Sequence, residues 1–171
     1  MKRLIFVNGT MGVGKSAVCA ELKKLLAPCA YLDGDWCWDL TPFCVTEETK
    51  GLALGNAAYL LRSFLKCSAA ETVLFSWVMP GRAVVEEVLS RIGRTEEFFL
   101  FTLTATPETL CGRLRSDVAA GVRTADVIGR SLARLPLYDA DMGGVKIATD
   151  GVSVSDVAHM IADMVRAKEG V

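Results

Sequence analysis

Residues 9–16, GTMGVGKS, place three glycines, a lysine and a serine hydroxyl directly after the apolar run LIFVN. Each of these types suits a polyphosphate. Glycine admits backbone conformations closed to other residues and lets main-chain N–H groups close on phosphate oxygens. A helix beginning near Lys15 adds its positive end at the same spot. Lys15 can reach β- and γ-phosphates, and Ser16 can ligate Mg²⁺. The stretch fits G-x-x-x-x-G-K-[ST], with a strand before it and a helix after it, as that pattern requires. It assigns Gly9, Thr10, Met11, Gly12, Val13, Gly14, Lys15, Ser16 and Ala17 to nucleotide binding. A looser dinucleotide pattern, G-x-G-x-x-A, fits Gly12, Gly14 and Ala17, with Asp33 at about the expected spacing of ~20 residues. It leaves Gly9, Lys15 and Ser16 without a role.

Two acids follow at Tyr31-Leu-Asp33-Gly34-Asp35. Ligands of a doubly wound sheet bind beyond the carboxyl ends of its strands, so both carboxylates are expected to face the phosphate loop. Phosphoryl transfer needs a metal held and an acceptor hydroxyl oriented, with somewhere for its proton to go. Two acids one residue apart can divide those tasks; Asp-Gly is also a common turn. Further on, Arg113, Arg115, Arg123, Arg130 and Arg134 fall in a stretch with no lysine. The planar guanidinium suits phosphate, carboxylate and stacking on a base. Small residues at 119–121 separate two helical segments there, the pattern of a lid over a nucleotide. A solvated helix face carries arginines as well.

The elements that must position these groups are legible from periodicity. Apolar runs predict strands at Arg3–Asn8, Cys29–Asp33, Thr72–Val78, Phe98–Thr104 and Val145–Thr149. Helical spacing predicts helices over Lys15–Leu26, Thr49–Lys66, Ala83–Ile92, Glu108–Asp117, Thr124–Leu135 and from Ser153 to about Arg166. Pro28 ends the first helix. Thr106 caps the fourth, with Pro107 at its first position. The Ser153–Asp156 spacing opens the last. Alternating strands and helices imply βαβ units around a parallel sheet. The stretch 36–48 has no assignable type.

Composition bounds the rest. A chain of 171 residues with 51% apolar and 23% charged residues predicts one domain with a substantial core. The net charge of −1 gives no basic excess for nucleic acid. No apolar run approaches the ~20 residues of a membrane helix, and MKRLIFVNG is too short in its apolar part for an export signal. Six cysteines without CxxC spacing and a single histidine, His159, argue against zinc and for reduced thiols in a cytoplasmic protein. His159 is read as structural. A GTPase is disfavoured: there is no N/TKxD, and the DxxG match at Asp141–Gly144 precedes the fifth strand. An AAA or helicase engine is normally longer. A small phosphotransferase remains.

The chain resembles the small P-loop kinases of the nucleoside monophosphate kinase-like superfamily, which includes shikimate, gluconate and adenylylsulfate kinases and chloramphenicol phosphotransferase. GTMGVGKS resembles their nucleotide loop, and LDGD at 32–35 resembles the segment after the second strand in gluconate and adenylylsulfate kinases. Arg134-Leu-Pro136-Leu-Tyr138 is similar to the R-x-P-x-Y stretch of shikimate kinases. Thr149-Asp-Gly before Ser153 is similar to the loop that lies against adenine. The resemblance implies one α/β domain over 1–171, a doubly wound three-layer sandwich with a five-stranded parallel sheet of order 2-3-1-4-5 and a helical lid at about 113–134. It implies ATP and Mg²⁺ as cofactors, Asp33 supporting Mg²⁺ through water, and Asp35 orienting the acceptor hydroxyl and taking its proton. By it, Arg113 lies near adenine, Arg123 reaches phosphate, and Arg134 holds the acceptor. Two departures stand out. Ser76-Trp77-Val78-Met79 replaces the glycine triplet of shikimate kinases, and Trp36-Cys37-Trp38 replaces the histidine of gluconate kinases. Trp36, Trp38 and Trp77 can line an aromatic pocket for a ring or base, or pack in the core. The expected reaction is phosphotransfer to a small molecule, a nucleotide or nucleoside-like compound first. Hydroxy acids, sugar acids and antibiotic hydroxyls are next, and an ATP-binding module without transfer is the rival. The expected state is monomer or homodimer.

Overall fold

The computed structural model describes residues 2–93 and 97–168. Five strands form one parallel sheet: β1 (Arg3–Asn8), β2 (Cys29–Asp33), β3 (Thr72–Trp77), β4 (Glu97–Thr104) and β5 (Val145–Ala148). Their order is β2-β3-β1-β4-β5, as expected. Six α-helices connect and cover them: α1 (Lys15–Leu25), α2 (Glu47–Lys66), α3 (Arg82–Ile92), α4 (Pro107–Ala119), α5 (Asp126–Arg134) and α6 (Val154–Ala167).

Strand alternation divides the core into two layers. Ile5 and Val7 of β1 join Leu74, Phe101, Leu103 and Ile147 against α1, α4 and α6. Leu4 and Phe6 turn the other way, with Val73, Phe75 and Leu100, against α2 and α3. The sheet is covered on both faces, and all six residues of β3 are buried, polar Thr72 and Ser76 among them. Edge strand β5 has a single buried residue.

The stretch that resisted reading opens as a 3-10 turn, Gly34–Trp38, and then runs irregularly to Thr46. There the Thr46 hydroxyl accepts from the Thr49 amide at 3.1 Å while the Thr49 hydroxyl accepts from the Thr46 amide at 2.9 Å. This reciprocal cap starts α2 two residues earlier than its apolar periodicity predicts. Gly34 is set by packing. A Cβ there would lie 2.3 Å from the Trp77 ring. Trp77 is accordingly a buried packing residue, with Phe75 at 5.9 Å and Trp38 at 6.4 Å between ring centroids. Among the described residues no helix is long and apolar enough to cross a membrane.

Candidate nucleotide and phosphotransfer site

The loop between β1 and α1 crosses the carboxyl end of the central strand. Gly9, Gly12 and Gly14 all have positive φ, at 145°, 82° and 106°. At Gly9 a Cβ would also sit 2.6 Å from the Leu103 carbonyl oxygen, so the loop lies directly on β4. Gly14 is the left-handed cap of α1, leaving the first-turn amides of Lys15, Ser16 and Ala17 without helical partners. That is a concave set of N–H donors at a helix N-terminus, the arrangement that receives an anion.

Lys15 curls back, its Nζ donating to the Thr10 carbonyl at 3.0 Å. Burial draws its pKa down to about 8, with Asp35 and then Asp33 opposing the fall and Arg123 adding to it. The acidic pair therefore shares a field with the lysine. Asp33 Oδ2 accepts from the Ser16 hydroxyl at 3.1 Å and from the Tyr31 hydroxyl at 3.2 Å. Its Oδ1 accepts the Asp35 amide at 3.1 Å, capping the 3-10 turn that carries Asp35. The Asp35 carboxyl is pushed up from its ordinary value, first by desolvation and then by the Asp33 charge, while Lys15 and Arg123 pull it back. Lys15, Ser16, Asp33, Asp35 and the charge of Arg123 thus converge on one place. The Arg123 guanidinium itself lies 3.1 Å from Asp117 Oδ2.

Arg113 belongs to a neighbouring cleft of about 160 Å³, lined by Val13, Gly14, Val18, Thr149, Val152 and Val157. It donates to the Val13 carbonyl at 3.2 Å, the Thr149 hydroxyl at 2.9 Å and the Thr149 carbonyl at 2.8 Å. These three bonds hold the guanidinium at the edge of the cleft, which adjoins the phosphate loop through Val13 and Gly14. Arg134 approaches the loop from the other side, its Nη1 3.9 Å from Met11 Sδ. No hydrogen bond or ion pair among the described residues joins it to Asp33, Asp35 or Trp36. Trp36, next to Asp35, is 81% exposed. Trp38 is half-buried against Phe43 and Trp77.

Some site residues carry no signal in the sequence. Buried Asn8, closing β1, accepts from the Gly9 and Met79 amides and donates to the Met79 carbonyl, tying the loop to the segment after β3. Ser131 of α5 donates to the Met11 carbonyl at 2.7 Å and meets the Thr10 hydroxyl at 3.0 Å. These partners are 71 and about 120 residues apart, and short-range spacing cannot reveal them.

The oxygen donors fit a hard cation. Ser16 and Asp33 supply a hydroxyl and a carboxylate, and Mg²⁺ is typically held by one or two carboxylates together with nucleotide phosphates. Among the described residues no cluster of three His, Cys, Asp or Glu side chains could hold a metal alone.

The parallel 2-3-1-4-5 sheet and its glycine loop define a P-loop nucleotide-binding α/β protein. The profile of the AAA domain matches residues 5–128, and the chain belongs to that family. The length that spoke against an AAA engine does not exclude the domain family: the match covers the loop, the acidic pair and α4. No curated protein matches the chain. Among solved structures, the Deinococcus radiodurans tunicamycin resistance protein is 23% identical, with 96% of each chain covered and a TM-score of 0.69. A sugar kinase from a Janibacter species is 15% identical over 97% of this chain and 95% of its own, with a TM-score of 0.74. Shikimate kinase from Acinetobacter baumannii, in complex with shikimate, is 18% identical over 98% and 95%, with a TM-score of 0.64. At these identities the likeness establishes the fold.

Proposed function

We propose that the chain is an ATP- and Mg²⁺-dependent kinase of a small molecule, with a nucleoside-like or nucleotide hydroxyl as acceptor. The observation that carries this reading is the meeting of Lys15, Ser16, Asp33 and Asp35 at one loop, with a base-sized cleft on its far side. In this reading the cleft takes adenine against Arg113, and the amides of 9–17 take the phosphates. Ser16 and Asp33 would hold Mg²⁺, which supplies charge neutralisation of the phosphates when bound. Asp35, its carboxyl made more basic than usual, takes the proton of the acceptor hydroxyl as that oxygen attacks the γ-phosphorus and ADP leaves. Lys15 and Arg123 stabilise the charge on the transferring group.

Trp36 supports the acceptor class. A tryptophan 81% exposed beside Asp35 is a platform for a planar ring. The names of the similar folds, a tunicamycin resistance protein, a sugar kinase and a shikimate kinase, are consistent with a small-molecule hydroxyl. The free cysteines agree with a reducing compartment. The test is ³¹P NMR of the chain with ATP–Mg²⁺ and a panel of nucleosides, nucleotides, hydroxy acids, sugar acids and hydroxyl-bearing antibiotics. A new phosphoester and stoichiometric ADP with a ring-bearing acceptor are expected. Tight ATP binding with no ADP across the panel would identify a binding module instead.

A further inference from the structure

Under the first turn of α1 runs a line of hydroxyl groups that the phosphate-loop motif does not contain. Tyr31 of β2 and Ser76 of β3 lie on the sheet face that α1 covers, because Asp33 pairs with Ser76 and Tyr31 with Leu74 in the register. The Tyr31 hydroxyl is 2.8 Å from Ser76 Oγ and 3.2 Å from Asp33 Oδ2. Asp33 Oδ2 also accepts from Ser16 at 3.1 Å. A phenol has one proton. With Tyr31 donating to the carboxylate, Ser76, only 1% exposed, donates to the phenol oxygen. The direction of the whole line is then fixed, from Ser76 to Tyr31 to Asp33. Because Ser16 also gives its proton to Asp33, its oxygen lone pairs stay available to another partner. Ser76 is buried and Tyr31 half-buried, and a phenylalanine at 31 would fill the same space while leaving the Ser76 hydroxyl and the Asp33 carboxylate one partner short.

We propose that Tyr31 and Ser76 are positioning residues for divalent-metal binding, acting through Asp33 and Ser16. They hold the carboxylate so that both oxygen donors meet the cation of a bound nucleotide in one arrangement. This rests on the nucleotide reading above, but not on any acceptor. Loss of such an outer hydrogen-bond partner characteristically weakens metal affinity about 10–100-fold while the ligands stay in place.

The experiment is calorimetric titration of the full chain with ADP, in EDTA and across a Mg²⁺ series, with thermal melting alongside. Tyr31→Phe is expected to raise the half-saturating Mg²⁺ for ADP binding by about tenfold and to leave ADP affinity in EDTA unchanged. Ser76→Ala is expected to move it less, in the same direction. Tyr31→Phe added to Asp33→Asn should cost nothing further, since both act through one carboxylate. A Tyr31→Phe chain that melts lower yet keeps the wild-type Mg²⁺ requirement overturns the proposal, as does equal weakening with and without Mg²⁺. Ser76→Ala decides the matter should Tyr31→Phe fail to fold. Wild-type chain that takes up no ADP in either medium overturns the nucleotide reading itself, and this inference with it.

Discussion

Burial draws the Lys15 ammonium from the ordinary lysine value of 10.5 down to about 8, with consequences for both binding and stability. A polyphosphate pairs with the protonated lysine. Above pH 8 the free chain has lost that proton and binding must take one up, so affinity falls as pH rises. ADP is expected to bind about tenfold more weakly at pH 9 than at pH 7. Calorimetry in buffers of different ionisation enthalpy reads the proton directly. Between about 8 and 10.5 the unfolded chain holds the proton that the folded chain lacks, so stability of the free chain rises with pH over the same window. Lys15→Met should flatten both trends, and Lys15→Ala should lower kcat on the order of 10²–10³ by loss of one preorganised donor. A wild-type chain whose ADP affinity is level from pH 7 to 9 contradicts the buried-cation picture. Asp35 gives a separate test. Its raised pKa places the acid limb of kcat above that of an ordinary aspartate, activity rising as it deprotonates. Asp35→Asn should lose transfer by about 10²-fold or more with ADP affinity intact. Equal loss of ADP binding would move Asp35 from the chemistry to the metal or the fold.

Elements bring these residues together through their ends. The turn between β5 and α6 is clamped to the start of α4: Asp150 accepts from the Thr106 amide at 2.9 Å and from its hydroxyl at 2.8 Å, while the Thr106 hydroxyl caps the Thr109 amide at 3.3 Å. Hydrogen bonding from the nearby Thr109 hydroxyl first, and then from the Thr106 amide and hydroxyl, pulls the Asp150 carboxyl to about 2. From the same helix Arg113 returns to Thr149, so one wall of the base cleft is built from both elements. Asp150→Ala should therefore loosen a cap and a binding wall together. Melting is expected to fall by about 2–4 °C, the scale of one lost helix cap in a chain of this size, with ADP several-fold weaker. A lower melting point with unchanged ADP affinity would confine Asp150 to the cap. Elements of this kind explain what sequence can reveal. β1 and β2 have the bounds their apolar runs predict: the central β1 has five of its six residues buried, while the edge strand β2, with only Leu32 buried, ends where Asp33 breaks the run. The loop and Asp33 were legible because a local motif and a strand end coincide. The Thr46 cap escaped because threonine occupies the place where a glutamate or glutamine is usually sought. Asn8, Ser76 and Ser131 escaped for another reason. Their partners are brought near only by sheet order and helix packing, which no periodicity encodes.

At the scale of the whole molecule, the segment about 113–134 is fastened to the phosphate loop at both ends and exposed between. Arg113 holds the Val13 carbonyl and Ser131 holds the Met11 carbonyl. Residues 119–126 are all exposed, and Arg123 rests on Asp117 rather than on a loop residue. Its charge nonetheless bears on both Lys15 and Asp35, which is the basis for assigning it to the γ-phosphate in the proposed reaction. The proposed lid is this middle portion, drawn down by the triphosphate while its ends stay fixed. Hydrogen exchange of the chain with a non-hydrolysable ATP analogue and Mg²⁺ is expected to slow amides at 119–126 at least about twofold, beyond the protection of 9–17 and 149–152 that ADP alone provides. Arg123→Gln should erase the extra protection and keep that of the base cleft. Asp117→Asn, by releasing Arg123 from its resting partner, should make the analogue's protection no weaker than in the wild type. If analogue and ADP protect the same amides, with 119–126 exchanging as in the free chain, the segment is a fixed bracket for the loop and the γ-phosphate is held by Lys15 without help from above.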